Sequence, residues 1–84
     1  MADHVIKNTI LTMAASRGAD KTICPSEVAR ALFGENWRKE MQTVRDAAFD
    51  LAEQNKIVVT QKGKKVGPEN LKGPIRIKIV NPET

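Results

Sequence analysis

Two consecutive amphipathic helical patterns joined by a short glycine-containing turn, with a lysine-rich strand, turn and strand after them, predict an α+β fold of the winged helix-turn-helix class. Another helical pattern precedes both, so the predicted order is three helices followed by a β-hairpin wing. A plain three-helix bundle would leave the apolar strands near Ile57 and Ile75 without a role. The order of elements therefore favours the winged class.

The length of 84 residues predicts one domain with a small core. We expect this domain to span residues 4–80 and residues 81–84 to form a disordered tail. The single cysteine, Cys24, cannot form an internal disulfide, and the single histidine, His4, is too distant in sequence for a metal-ligand motif. With no leader pattern and no run near the roughly 20 apolar residues that span a bilayer, we expect a cytoplasmic protein without cofactors.

The first helix is predicted over residues 3–17. Its apolar stripe at helical spacing consists of Ile6, Ile10, Met13 and Ala14. Gly18 is expected to end it, because a residue without Cβ readily takes the left-handed conformation. Ile23, after a polar connection, forms either a single strand residue or a plug in the core.

The second helix is predicted to begin at Pro25 and to end at Gly34, with Glu27 placed to bond back to Cys24 as the acid of a capping box. The residues that face inward are Val28, Ala29, Leu32 and Phe33. Cys24 has two interpretations: a redox-sensing thiol at a helix amino terminus, or a half-buried structural residue and weak cap. The absence of a second cysteine favours the structural role.

The third helix is predicted to open at Glu35 or Asn36 and to continue to about Gln54. Its stripe repeats at spacings of four and three residues and consists of Trp37, Met41, Val44, Ala48 and Leu51. Trp37 is interpreted as the core anchor between the second and third helices rather than as a base-stacking residue. Asn55 is expected to end the helix in the left-handed conformation.

The last third of the chain predicts a hairpin. Residues 57–61 are a β-branched run, residues 62–65 contain its turn, and residues 67–74 carry too many glycines and prolines for a helix or central strand. Residues 75–79 alternate strictly, so Ile75, Ile77 and Ile79 face the helices.

The positive charge is concentrated in this hairpin. Residues 56–84 hold seven lysines and arginines against two acids, whereas residues 1–55 hold seven against eight, so the net charge of +4 belongs to the carboxy-terminal third. Such asymmetry indicates a polyanionic partner, because neutralised phosphates release counterions. Lysines on a small hairpin also keep its edge soluble, and charge alone leaves both interpretations open.

Helical geometry places three polar residues of the third helix on one flank beside its core stripe. Arginine there can bind guanine or phosphate, and glutamine can pair with adenine. The candidate nucleic-acid-binding residues are Arg38, Gln42 and Arg45 on this flank, Lys62, Lys64 and Lys65 on the wing, and Arg76 on the last strand. A solvated face with a pair such as Gln42 and Asp46 is the alternative. The acids Asp46, Asp50 and Glu53 on the adjoining flank also weaken the case for DNA.

The sequence motifs of these elements resemble those of DUF3253, a family of small bacterial proteins. The residues that carry the resemblance are Cys24-Pro25-Ser26-Glu27-Val28-Ala29-Arg30, Trp37-Arg38, Met41, Val44-Arg45, Ala48, Leu51-Ala52, residues 57–63 and Gly73-Pro74-Ile75-Arg76-Ile77. The likeness runs from about residue 4 to residue 79 and implies a winged-helix-like fold, but no site residues. The chain departs from the family pattern at Cys24, where a hydroxyl residue is more usual, and at Asn55, where glycine is more usual.

The sequence predicts a nucleic-acid-binding module for duplex DNA, and the alternative is a protein-interaction or dimerisation module without DNA contact. Arg30, on the second helix, is expected to brace the helices by pairing with Glu27, Glu40 or a carbonyl. The residue constellations of catalysis are absent, so we expect no enzyme, no small-molecule substrate and no membrane partner.

Overall fold

The computed structural model describes residues 3–69 and 73–80. The helices are α1 (Asp3–Arg17), α2 (Pro25–Phe33), a 3-10 helix (Gly34–Glu40) and α3 (Met41–Glu53). The strands are β1 (Ile57–Gln61), β2 (Lys64–Lys65) and β3 (Arg76–Ile79). The predicted α+β class is confirmed. The predicted tail, residues 81–84, and the middle of the predicted loop, residues 70–72, lie outside the described residues.

The first helix has the predicted bounds and the predicted inner face. Ile6, Ile10 and Ala14 are buried, and Met13 packs against them at the edge of the core. Gly18 ends the helix with a φ of +103° while its N–H still bonds to the carbonyl of Ala14 at 3.3 Å. Glycine is suited to this position because a Cβ would strain that backbone conformation.

A charged network fixes the start of α2. The Glu27 carboxylate accepts the backbone N–H of Cys24 at 2.8 Å and a guanidinium N–H of Arg17 at 2.7 Å. These two bonds, first that from Cys24 and then that from Arg17, hold the pKa of Glu27 below its ordinary value. Cys24 is half-buried, with its Sγ 3.0 Å from the hydroxyl of Ser26. The Glu27 carboxylate is therefore the main cap of α2, because the thiol of Cys24 is a weak acceptor.

The third predicted helix differs from the structure in its first turns. Instead of one helix from Glu35 or Asn36, the chain forms the 3-10 helix Gly34–Glu40 and becomes α-helical only at Met41. The sequence does not reveal this change, because apolar spacing over a single turn does not separate three from 3.6 residues per turn. As a result Trp37, the predicted core anchor, is half-buried and packs only against the edge of the core.

The end of α3 is the one that the sequence predicts. Asn55 has a φ of +62°. The N–H of Asn55 donates to the carbonyl oxygen of Ala52 at 3.0 Å, and the N–H of Lys56 donates to the carbonyl oxygen of Leu51 at 3.0 Å. These two bonds are those of a Schellman motif, which satisfies carbonyls that the helix leaves open. The motif turns the chain directly into β1.

The sheet has three strands where a two-stranded hairpin is predicted. Its order is β2-β1-β3, both pairings are antiparallel, and the register of β1 with β3 runs from Ile57 opposite Ile79 to Thr60 opposite Arg76. The short β2 pairs with the far end of β1 through Gln61 and Lys64. Ile23 bridges to Ile77 from the other side of β3, so it is both a strand residue and, at 0 % exposure, part of the core.

Helices and sheet share one interior. Among its members are Val44, Ala48 and Leu51 from α3 and Ile57, Val59, Ile75 and Ile77 from the hairpin, all buried. Ile79 is partly buried against the same cluster, so the predicted inward direction of the three alternating isoleucines is confirmed. Arg76 and Lys78, between them, point away from this cluster. The core thus fixes which face of the hairpin carries charge.

Candidate nucleic-acid interface

The tip of the wing is a tight turn that presents lysines. Lys62 and Gly63 both have positive φ, +54° and +82°, which is the type I′ conformation that joins two strands through two residues. Lys62, Lys64 and Lys65 are exposed, and none of them has an ion-pair partner in residues 3–69 and 73–80. Three exposed lysines, unpaired within the described residues, therefore belong to one short turn and the strand after it.

On the flank of α3, two of the predicted residues have partners inside the protein. The Gln42 side-chain amide donates to the Asp46 carboxylate at 2.9 Å, which is the pair that the sequence raised as the alternative to DNA contact. Arg45 is half-buried and donates from Nη2 to the carbonyl oxygen of Gly73 at 3.2 Å. Gln42 stays exposed, so its amide can exchange an intrahelical partner for an external one.

The hydrogen bond from Arg45 joins α3 to the root of the wing, the residues Gly73 and Pro74 that lead into β3. Beside Gly73, the Gln61 side chain donates to the carbonyl oxygen of Pro74 at 3.2 Å. A cleft of about 430 Å³ opens there and is lined by Gln61, Lys62, Gly73, Pro74 and Arg76. Arg45 of α3 and this cleft therefore meet at Gly73.

Arg76, the last of the predicted residues, lies in this cleft with part of its donor capacity engaged. Its Nε donates to the hydroxyl of Thr22 at 2.8 Å, and its Nη2 is 3.4 Å from the carbonyl oxygen of the same residue. Arg17 donates to that carbonyl oxygen at 3.2 Å. Arg76 therefore ties β3 to the connection between α1 and α2 while remaining exposed to solvent.

Arg38 lies in the 3-10 helix, one turn before α3, and stacks on Trp37. Its guanidinium carbon is 4.6 Å from the centroid of the indole ring, and that of Arg30 is 4.4 Å from the same centroid. The predicted brace by Arg30 therefore uses an aromatic ring rather than Glu27, Glu40 or a carbonyl. The sequence does not reveal these cation–π contacts of Trp37, because they depend on the geometry of the corner between α2 and α3.

The adjoining face of α3 is acidic from the middle of the helix to its end. Asp46, Asp50 and Glu53 line a cleft of about 290 Å³ together with Phe49 and Pro68. Lys7 of α1 partly neutralises it, at 3.4 Å from Asp50 and 3.0 Å from Asp3, and the hydrogen bond with Asp3 is the main reason that the pKa of Lys7 is raised. The carboxylates would repel a phosphate backbone, so this face of α3 is unfavourable for nucleic acid.

In the described part of the chain, no helix has the length and apolarity that crossing a membrane requires. Within the same residues, no group of three or more histidine, cysteine or acidic side chains is arranged to hold a metal ion.

Comparison with known protein families gives a match over nearly the whole chain. The model of a family described as a protein of unknown function, DUF3253, matches residues 3–80. The chain belongs to the DUF3253 family. The resemblance that the sequence motifs indicate is therefore confirmed over nearly the whole chain. A comparison with curated proteins finds no relative of this DUF3253 protein.

Proposed function

We propose that this DUF3253 protein is a non-enzymatic module of winged-helix type that binds duplex DNA through the start of α3 and the lysine-bearing wing. The observation that carries the proposal is the wing turn, where Lys62, Lys64 and Lys65 are exposed and without an ion-pair partner in the described residues. Cations held together without acids are the electrostatic footprint of phosphate recognition.

The topology supports the winged-helix interpretation. A single strand residue, Ile23, lies between α1 and α2 and pairs with β3, and the tight turn between β1 and β2 projects from the edge of the same sheet. Helix, strand residue, helix, helix, strand, wing and strand is the order expected of that class. The 3-10 helix between α2 and α3 is the local departure from a plain helix-turn-helix.

The contacts give the candidate residues different proposed roles. Gln42, exposed in the first turn of α3, is proposed to reach into a groove, whereas Arg38, exposed in the 3-10 helix before α3, and the wing lysines are proposed to contact backbone phosphates. Arg45 is proposed to act chiefly as a positioning residue, because its bond to Gly73 holds the wing root against α3. Arg76, which lines the cleft beside Lys62, is proposed to contact a phosphate.

Amide chemical shifts test this assignment directly. With a labelled protein and an unlabelled mixed-sequence duplex, we expect shifts in residues 38–45 and 61–65 and little change in α1. The acidic carboxy-terminal turn of α3 serves as an internal control, because its carboxylates should stay outside the contact. A spectrum that the duplex leaves undisturbed would contradict the proposal.

The alternative function is a protein-interaction or dimerisation module without DNA contact. The observation that favours it is the cleft of Phe49 and Pro68, where apolar and acidic side chains meet on α3. Under this alternative, sedimentation would depend on protein concentration, and the association would survive high salt because buried apolar area drives it. DNA binding would instead weaken steeply with salt.

A further inference from the structure

We propose that Arg30, Trp37 and Arg38 form a phosphate-binding clamp, a site separate from the wing. Both guanidinium carbons lie close to the indole centroid, at 4.4 Å for Arg30 and 4.6 Å for Arg38. The two guanidinium carbons therefore lie within about 9 Å of each other. Two cationic side chains from different elements, α2 and the 3-10 helix, converge on one ring.

The two arginines keep their charge available to an anionic ligand, although Glu35 and Glu40 belong to the same 3-10 helix as Arg38. Neither arginine has an ion pair among residues 3–69 and 73–80, and Glu27, the acid one turn before Arg30, is engaged by Arg17 instead. An exposed cation–π contact contributes only about 0.5–1 kcal/mol, so the ring offsets the mutual repulsion of the two charges only in part. A phosphate that accepts hydrogen bonds from both guanidinium groups would offset that repulsion.

The geometry also leaves the right atoms available. Each guanidinium carbon lies over the ring, and neither arginine side chain donates a hydrogen bond within residues 3–69 and 73–80, so the N–H donors of both are uncommitted there. Both arginines are exposed, so these donors face solvent. Because stacking restricts the rotation of each side chain beforehand, less conformational entropy is lost when a phosphate oxygen binds.

The clamp lies at the corner that precedes α3, on the side of that helix away from its acidic last turns. It rests on the proposed function in one respect, since the phosphates expected there are those of a duplex backbone. The same chemistry would bind free phosphate, and the test separates the two sources.

Trp37 is the only tryptophan of the chain, so its fluorescence reports on this site alone. We expect a saturable change in Trp37 emission when unlabelled duplex is added, and a smaller one with inorganic phosphate at matched ionic strength. Arg30→Gln and Arg38→Gln should each weaken duplex binding about tenfold, as loss of a charge-assisted hydrogen bond does. Arg30→Lys, which keeps the charge but not the paired donors, should recover only part of that affinity.

Lys21→Gln is the charge-matched control, because Lys21 is exposed in the connection between α1 and α2, and it should leave the Trp37 response unchanged. Circular dichroism and thermal unfolding of each variant establish that it is folded. Duplex binding, measured by anisotropy of a labelled duplex, without any change in Trp37 emission or dependence on Arg30 would overturn the clamp and leave the proposed function standing. A Trp37 response to inorganic phosphate that requires Arg30, without duplex binding, would support the clamp and overturn the proposed function.

Discussion

The guanidinium of Arg45 donates a hydrogen bond to the carbonyl oxygen of Gly73 at 3.2 Å, joining α3 to the root of the wing across 28 positions of sequence. Gly73 has a φ of +88°, a conformation that glycine adopts without strain. In this conformation its carbonyl oxygen accepts the hydrogen bond from Arg45. The relative position of helix and wing is thus set partly by a single polar contact at the surface rather than by the core alone.

Replacement of Arg45 by methionine should loosen the wing root. The variant keeps most of the apolar stem but loses the donors, so we expect a destabilisation of about 1 kcal/mol and faster proteolysis within residues 66–75 in the absence of DNA. Urea denaturation and limited proteolysis measure the two effects. Arg38→Met is the matched control, because the guanidinium of Arg38 lies over Trp37 and makes no hydrogen bond to the described part of the loop. Equal proteolysis rates for Arg45→Met and the native protein would show that the bond does not hold the loop.

Stability should depend on pH through Glu27. Its pKa is lowered in the folded protein, so its contribution is fully present above the ordinary glutamate pKa of about 4.3 and is lost as pH falls through the lower folded value. Glu27→Gln should therefore reduce the free energy of unfolding by about 1 kcal/mol at pH 7 and by much less near pH 3. Denaturant titrations at both pH values measure the difference.

Glu53→Gln is the control for this comparison, since Glu53 has no ion pair in the described residues. It should change stability by less than about 0.5 kcal/mol at either pH. A Glu27→Gln deficit of the same size at pH 3 and pH 7 would mean that the lost interaction does not involve the ionised carboxylate.

Asn55 occupies a backbone conformation in which glycine would be at least as stable. With φ at +62°, Asn55→Ala should destabilise the protein by about 1 kcal/mol, whereas Asn55→Gly should leave it unchanged or slightly more stable. Thermal unfolding of the two variants gives the order. Were alanine tolerated as well as glycine, the Schellman motif at the end of α3 would not be formed in solution.

Lys62 offers a way to separate folding from binding. Asparagine is favoured over lysine at the first position of a type I′ turn followed by glycine, so Lys62→Asn should stabilise the wing by a few tenths of a kcal/mol. The same change removes one wing cation and should weaken duplex binding. The stability measured by thermal unfolding should therefore rise, while the duplex affinity measured by anisotropy on the same preparation should fall. A parallel fall in both would indicate that the turn is not type I′.

Local patterns sufficed for much of the fold. The positions of Gly18, Asn55 and Pro25 follow from the conformations that these residues favour, and the alternation of residues 75–79 gives the buried face of β3 without knowledge of its partner. The short β2 is not predictable in this way, because two exposed lysines after a glycine resemble an ordinary turn.

The candidate site was less accessible to sequence reasoning because its contacts are distant or depend on angle. The bond from Arg45 to Gly73 requires the whole hairpin to be placed, and no spacing rule relates residues 28 positions apart. The stacking of Arg30 and Arg38 on Trp37 requires the 3-10 corner, which the helical periodicity conceals. The sequence identifies the cationic residues, but it does not show which of them contact other residues of the protein.

The most direct test of the DNA-binding proposal is the affinity for a labelled duplex at about 50 mM and about 200 mM salt, for the native protein, Lys64→Ala/Lys65→Ala and the charge-matched control Lys21→Ala/Lys56→Ala. We expect native binding to fall steeply with salt. The wing variant should bind more weakly, with a logarithmic salt slope reduced by about two, and the control should keep the native slope. No binding at low salt, or equal losses in the two variants, would contradict the account.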